Sequence, residues 1–248
     1  MCKKSRRNDL SVAQNDTYAR ATGANKKKFH TKDLTKVHPL TKTQGEVFAS
    51  YNSNFNLFLH GSAGTGKTFL SMYLALREVL EEGSPYDKLI IIRSSVATRD
   101  VGFLKGDLEE KIAVFEAPYS DICDRLFTYS KTYENMKKIG YIEFMSSSYL
   151  RGLTFDNAII LVDECENMNA HELDSIITRV GKDAKIIFSG DIKQTDLLKS
   201  SRDKTGIEDF MRVVAHMPEF ALVEFTTDDI VRSGLVKSYL ITKEKLNL

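Results

Sequence analysis

The chain has 248 residues, 42% of them hydrophobic and 28% charged, which suits one large α/β domain or a domain plus small appendages. No apolar run approaches the roughly 20 residues of a membrane span, and the polar N-terminus lacks the apolar core of a signal peptide. Three scattered cysteines (Cys2, Cys123, Cys165) form neither a metal-ligand spacing nor a disulfide frame. Together these features point to a reducing, cytoplasmic location and no membrane partner. Net charge is only +1, yet residues 1–43 hold eleven Lys/Arg against three Asp, a local +8 that leaves −7 for the rest.

Residues 1–37 have few large apolar side chains and no sustained periodicity, and are expected to be a basic, largely irregular N-terminal segment. Two readings stand for its charge: a solvated tail, or a contact with phosphate backbones that releases counterions. Residues 38–248 are expected to form a single domain. Its first element is a short amphipathic helix around Gln44–Tyr51, introduced by Pro39 and Thr41. Gln44 lies 17 residues before Gly61, and its amide can donate to and accept from an adenine edge; the other reading is a surface polar residue.

Phe55–Leu70 reads FNLFLHGSAGTGKTFL: an apolar strand, a glycine-rich loop, then a helical pattern. Gly61, Ser62, Ala63, Gly64, Thr65, Gly66, Lys67 and Thr68 fit GxxxxGK[ST] in the context that gives the pattern meaning. The glycines let backbone N–H groups turn around phosphate oxygens, and the helix that follows presents its positive dipole end. Lys67 is expected to reach the β- and γ-phosphates of ATP, and the Thr68 hydroxyl to hold Mg²⁺.

Lys88–Ser94 is a buried parallel strand by its continuous apolar run, with Arg93 at the end where open α/β sheets bind ligands. Asp107 and Glu110 open a helix that reaches Phe127 if Pro118 only bends it. After a polar stretch, Tyr141–Met145 forms a short strand leading to Tyr149 and Arg151, an aromatic and a cation suited to a single-stranded polynucleotide. A packed tyrosine with a surface arginine explains that pair equally well.

Ala158–Val162 followed by Asp163 and Glu164 places two carboxylates at the end of a buried strand. Asp163 can hold Mg²⁺ and Glu164 can deprotonate an attacking water. Asn169 with Glu172 caps a helix running to about Val180. Lys185–Asp191 is another buried strand, and Gln194 follows it. In nucleoside triphosphatases with a glutamate base, such a strand typically lies between the phosphate-loop strand and the Asp–Glu strand, which would face Gln194 to the γ-phosphate. A helix over Gly206–His216, a strand over Phe220–Phe225 and a closing helix from Gly234 to about Lys245 complete the domain.

With these motifs in view, the chain resembles the PhoH-like (phosphate-starvation-inducible) ATPase family over roughly Pro39–Lys243. GSAGTGKT at 61–68, GFLKGDLEEKI at 102–112, YLRG at 149–152, IILVDECEN at 159–167, SGDIKQTD at 189–196 and DIVRSGLV at 229–236 carry the resemblance in order. The family, found in bacteria and their viruses, is similar to the first motor domain of superfamily-one helicases. The fold so implied is a three-layer α/β P-loop NTPase, RecA/helicase-like, with a mostly parallel central sheet.

The resemblance also implies an ATPase, and as a finer expectation an RNA helicase, that acts on single-stranded RNA or DNA; because a chain of this length holds one motor domain, it is expected to self-associate as a ring, a hexamer by expectation. The resemblance gives Lys67, Thr68, Asp163, Glu164 and Gln194 the roles stated above, with Gln44 near the base. Arg232 falls at the family's arginine before the closing helix, from which it could reach a neighbouring subunit's γ-phosphate. Arg93, Tyr149 and Arg151 are the nucleic-acid candidates. Cys165 and Glu166 stand where the family more often has Ala and Gln, which puts any coupling through position 166 in question. The rival readings are a phosphotransferase sharing the phosphate loop and a nucleotide-dependent RNA-binding scaffold.

Overall fold

The computed structural model describes residues 29–94, 108–150, 152–191 and 206–246, with backbone alone for 108–112. Six strands form one sheet: β1 (Asn56–Gly61), β2 (Lys88–Arg93), β3 (Ile142–Ser146), β4 (Ala158–Asp163), β5 (Lys185–Gly190) and β6 (Phe220–Phe225). Their order is β3-β2-β4-β5-β1-β6, and all five pairings between these strands are parallel. The strand after the Asp–Glu pair thus sits between it and the phosphate-loop strand, as the motif order implies.

Alternate side chains of each strand serve opposite layers, as a parallel sheet covered on both faces requires. Leu57, Leu59, Leu89, Ile91, Ile159, Leu161 and Ile187 join one cluster. It is covered by α1 (Lys42–Asn52), α2 (Lys67–Val79), α3 (Leu108–Leu126) and α4 (Thr132–Ile139). Phe58, Ile90, Ile92, Ile160, Val162, Ile186 and Phe188 face α5 (Ala170–Ile177) and α6 (Ile207–Val214). This is the three-layer α/β arrangement of P-loop nucleoside triphosphatases.

Several boundaries have local causes. Asn169 and Glu172 form the expected capping box at α5, a motif that stabilises by about 1 kcal/mol. That helix stops at Ile177, short of Val180, because the next turn pairs with another segment: Phe155 N–H donates to Arg179 O at 2.8 Å and Gly181 N–H to Phe155 O at 3.0 Å. Helix α3 continues through Pro118, and α4 ends on the left-handed Gly140. The Asp107 cap lies outside the described residues.

The end of the basic segment is bound to the domain. Phe29 and Leu34 are buried in the first cluster, Thr31 donates to Leu80 O at 3.0 Å, and Thr35 N–H donates to Leu126 O at 2.7 Å. Helix α7 (Gly234–Lys245) is the opposite case: none of its residues is buried, and Leu235 is 83% exposed.

Candidate active site

The C-terminal ends of β1, β4 and β5 converge, and a cleft of about 700 Å³ opens above them. One wall is the 61–68 loop and the start of α2. The other walls come from residues 37–44, from Pro118, Tyr119, Ile122 and Arg125 of α3, and from Val231 and Arg232.

Glycine is required in the loop by what surrounds it. At Gly61 (φ +110°) an added Cβ would lie 2.0 Å from Phe225 O, because β6 runs directly alongside. At Gly64 (φ +75°) it would meet Arg232 Cγ at 3.0 Å. Among the described residues, no hydrogen bond draws on the N–H groups of Ala63, Gly64, Thr65 or Gly66, so these donors are unspent at the mouth of α2. A polyphosphate fits such a cradle.

Lys67 Nζ donates to the carbonyls of Gly61 (2.7 Å) and Ser62 (2.9 Å), folding back over the loop it follows. Burial pulls its pKa down, while Asp191, Glu166 and Asp163 oppose the shift. Thr68 Oγ1 donates to Asp163 Oδ1 at 2.9 Å, across 95 residues of sequence. Tyr119, from α3, donates to Asp163 Oδ2 at 3.0 Å. Burial raises the Asp163 pKa, neighbouring Glu164 adds to this, and the bonds from Thr68 and Tyr119 lower it. A hydroxyl beside a carboxylate is an oxygen donor pair suited to Mg²⁺.

Glu164 adopts a left-handed backbone (φ 51°, ψ 44°), a conformation uncommon outside glycine and found at functional turns. Arg93, a nucleic-acid candidate by sequence, is paired in this structure: its Nε donates to Glu164 Oε2 at 2.9 Å, and its Nη2 pairs closely with Glu164 Oε1. The cause is register, since β2 lies beside β4 with Arg93 opposite Asp163. Phe115 supports the guanidinium from α3, offering its carbonyl at 3.5 Å and its ring at 5.7 Å.

Two other candidate side chains also have contacts within the chain. Gln44 is 3% exposed and uses its amide within the protein: Oε1 accepts from Leu40 N–H at 2.8 Å and Nε2 donates to Thr65 O at 2.9 Å. One Nε2 hydrogen and one Oε1 lone pair are left over. Arg232 lies over its own chain's phosphate loop, anchored where Val231 N–H donates to Gly64 O at 3.1 Å. It needs no neighbouring subunit to face a loop.

Glu166 is buried beside β5, and its Oε2 accepts from Asp191 N–H at 3.1 Å. Burial pushes its pKa up to about 8, against the backbone donors that favour the charged form. A neutral carboxylic acid keeps a donor and an acceptor, so Glu166 at neutral pH stays close in shape and hydrogen bonding to a glutamine. Cys165 is also buried, which raises its thiol pKa and fits a small packed residue rather than a redox centre. Tyr149 is 68% exposed past the end of β3. Gln194 and Arg151 lie outside the described residues.

Tyr119 was not singled out by sequence. Its only signal is a tyrosine on the inner face of a long helix, which composition cannot distinguish from core.

An all-parallel sheet, a glycine-rich loop closing on β1 and a carboxylate pair two strands away define a P-loop nucleoside triphosphatase fold. A family profile described as PhoH-like protein matches residues 36–242. The chain belongs to the PhoH-like family. It is 35% identical to a PhoH-like protein of Synechocystis sp. over 189 residues, 76% of this chain and 56% of that one. It is 30% identical to Protein PhoH of Escherichia coli K12 over 212 residues, 85% and 59% of the two chains. It thus spans less than two thirds of these relatives' length. Among solved structures, the Pif1 helicase from Candida albicans is 17% identical with a TM-score of 0.38, over 77% of this chain and 41% of that one. The large terminase from a thermophilic bacteriophage is 14% identical with a TM-score of 0.45, over 82% and 50%. No helix among the described residues is long and apolar enough to cross a membrane.

Proposed function

We propose that this chain is a Mg²⁺-dependent ATPase whose turnover is coupled to single-stranded RNA or DNA. The observation that carries the reading is the 2.9 Å bond between Thr68 and Asp163, set beside a cradle of unspent backbone donors. Thr68 and Asp163 would hold Mg²⁺, which neutralises charge on the phosphate oxygens when bound.

Lys67 exchanges the carbonyls of Gly61 and Ser62 for β- and γ-phosphate oxygens, a gain because a charged acceptor replaces neutral ones. Arg232 adds positive charge over the same loop as negative charge builds on the leaving and transferred oxygens. Glu164 takes the proton of the attacking water. Gln194 would help to orient that water. The base enters between residues 37–40 and Ile122 of α3, next to what remains of the Gln44 amide.

Coupling to a polynucleotide is supported by the exposed Tyr149 at the sheet end, with Arg151 two residues on, and by the basic residues before Phe29. A ring is supported by the apolar residues Leu235, Val236 and Tyr239 exposed on α7 beside the cleft.

The test is ATP hydrolysis with and without Mg²⁺, poly(U) and poly(dT) at low salt, beside Glu164→Gln. Mg²⁺-dependent turnover stimulated by polymer and lost in the variant supports the reading. Turnover indifferent to both polymers removes the nucleic-acid part, and turnover unaffected by Glu164→Gln removes the assignment of the base.

A further inference from the structure

We propose that Arg93 is a polymer-operated latch on the general base: it holds Glu164 out of catalysis until a phosphodiester strand takes its guanidinium. The inference rests on the ATPase reading and deepens it. Both Glu164 oxygens accept from one guanidinium, Oε2 from Nε at 2.9 Å and Oε1 from Nη2. This fork-to-fork geometry is the strongest pairing open to a carboxylate. A carboxylate paired on both oxygens is a weaker base, because taking a proton from water would discharge the form that the guanidinium stabilises.

The latch is built so that it can be contested. The Arg93 side chain is 15% exposed and that of Glu164 41%, so the pair lies at the rim of the cleft and not in the core. The pairing of β2 with β3 sets Arg93 opposite Ser146, three residues before the exposed Tyr149. A single strand stacking a base on Tyr149 brings a phosphate to the same sheet edge. Phosphate accepts the guanidinium fork as well as carboxylate does. The backbone is arranged for such a change too, because Glu164 sits in a left-handed turn of a non-glycine residue, held there by its surroundings. Arg93 is in this sense a positioning residue, and the chemistry remains with Glu164.

Wild type, Arg93→Ala and Arg93→Lys are compared in steady-state ATP hydrolysis with Mg²⁺, with and without poly(U) and poly(dT), and in equilibrium binding of a fluorescent ATP analogue. In Arg93→Ala, turnover without polymer rises by about tenfold, within the usual span of allosteric couplings, and polymer no longer stimulates. Binding of the analogue stays within about threefold of wild type, since the latch touches the base and not the phosphate loop. Arg93→Lys keeps the charge without the fork, so it shows raised basal turnover and a reduced stimulation ratio. It decides the matter should Arg93→Ala fail to fold. The proposal is overturned if Arg93→Ala is slower without polymer and keeps its stimulation ratio. It is also overturned if the analogue binds tenfold or more weakly with that ratio intact, which would assign Arg93 to the nucleotide. Wild type no faster than Glu164→Gln under every condition overturns the parent reading, and the latch with it.

Discussion

Tyr119 donates its hydroxyl proton to Asp163 across 3.0 Å, although 44 residues of chain, β3 among them, separate the two. The bond occupies the carboxylate oxygen that Thr68 leaves free, so the Asp163 plane is held from both sides. Tyr119→Phe keeps the ring and removes only that donor. We expect stability to fall by about 1–3 kcal/mol, since a buried carboxylate oxygen loses its partner. The Mg²⁺ concentration for half-maximal turnover should rise by about 10-fold or more, as loss of a group that orients a metal ligand typically causes. Urea unfolding and a Mg²⁺ titration of ATP hydrolysis measure the two effects.

Glu166 gives a pH dependence of definite sign. Its pKa rises from the ordinary 4.5 to about 8 in the folded chain, so the folded state binds its proton more tightly than the unfolded state does. The resulting stabilisation is full below about pH 4.5 and is lost as pH climbs through 8. Its size is on the order of a few kcal/mol. Glu166→Gln has no proton to lose, so its advantage over wild type should widen from pH 6 to pH 8.5. Urea midpoints across that range check it; parallel curves for the two proteins would refute it.

Gly61→Ala should be among the most damaging single-methyl additions in the protein. The new Cβ would sit 2.0 Å from Phe225 O at a φ of +110°. We expect a loss of about 4 kcal/mol or more, by combined strain and displacement of β6. Gly83 also has a positive φ (+84°) but nothing within 4 Å, so Gly83→Ala should cost only about 1–2 kcal/mol. Thermal unfolding of the pair separates backbone strain from collision.

Arg232 should act on the loop it covers. Arg232→Ala is expected to lower kcat by about 10³-fold, the scale of an arginine that stabilises phosphoryl-transfer charge. Mixing Arg232→Ala with Lys67→Ala subunits should restore nothing, because each chain's arginine lies over its own Gly64. Recovered turnover in the mixture would instead show the arginine reaching across to a neighbour.

The frame was legible wherever local pattern and tertiary role agree. Runs such as Leu57–Leu59, Ile90–Ile92 and Ile159–Val162 could be read as buried strands because both faces of their sheet are covered, so they carry no polar alternation. Asn169 and Glu172 marked a helix start because capping chemistry is local. Phe29 and Leu34 were missed since two apolar residues in a basic stretch have no period, and only docking shows that they belong to the core. Arg93 was placed correctly at its strand end, but its partner was not legible. The pair depends on β2 lying next to β4, and strand adjacency is a property of the whole sheet rather than of the chain between residues 71 positions apart. Gln44 and Arg232 are similar cases: their types hinted at a ligand, while their directions were decided by backbone atoms of Leu40, Thr65 and Gly64.

The ladder between β2 and β4 therefore works as a ruler. Arg93 pairs in register with Asp163, one residue before Glu164. A slip of one residue would turn the guanidinium to the opposite face of the sheet, and a slip of two would carry it about 6.6 Å along the strand. Neither leaves it on the carboxylate. The buried aliphatic residues Leu89–Ile92 and Ile159–Val162, which take no part in the chemistry, thus set where one arginine falls along the strand end. A substitution in that ladder that shifted the register would move the arginine off its carboxylate as well as weaken the core.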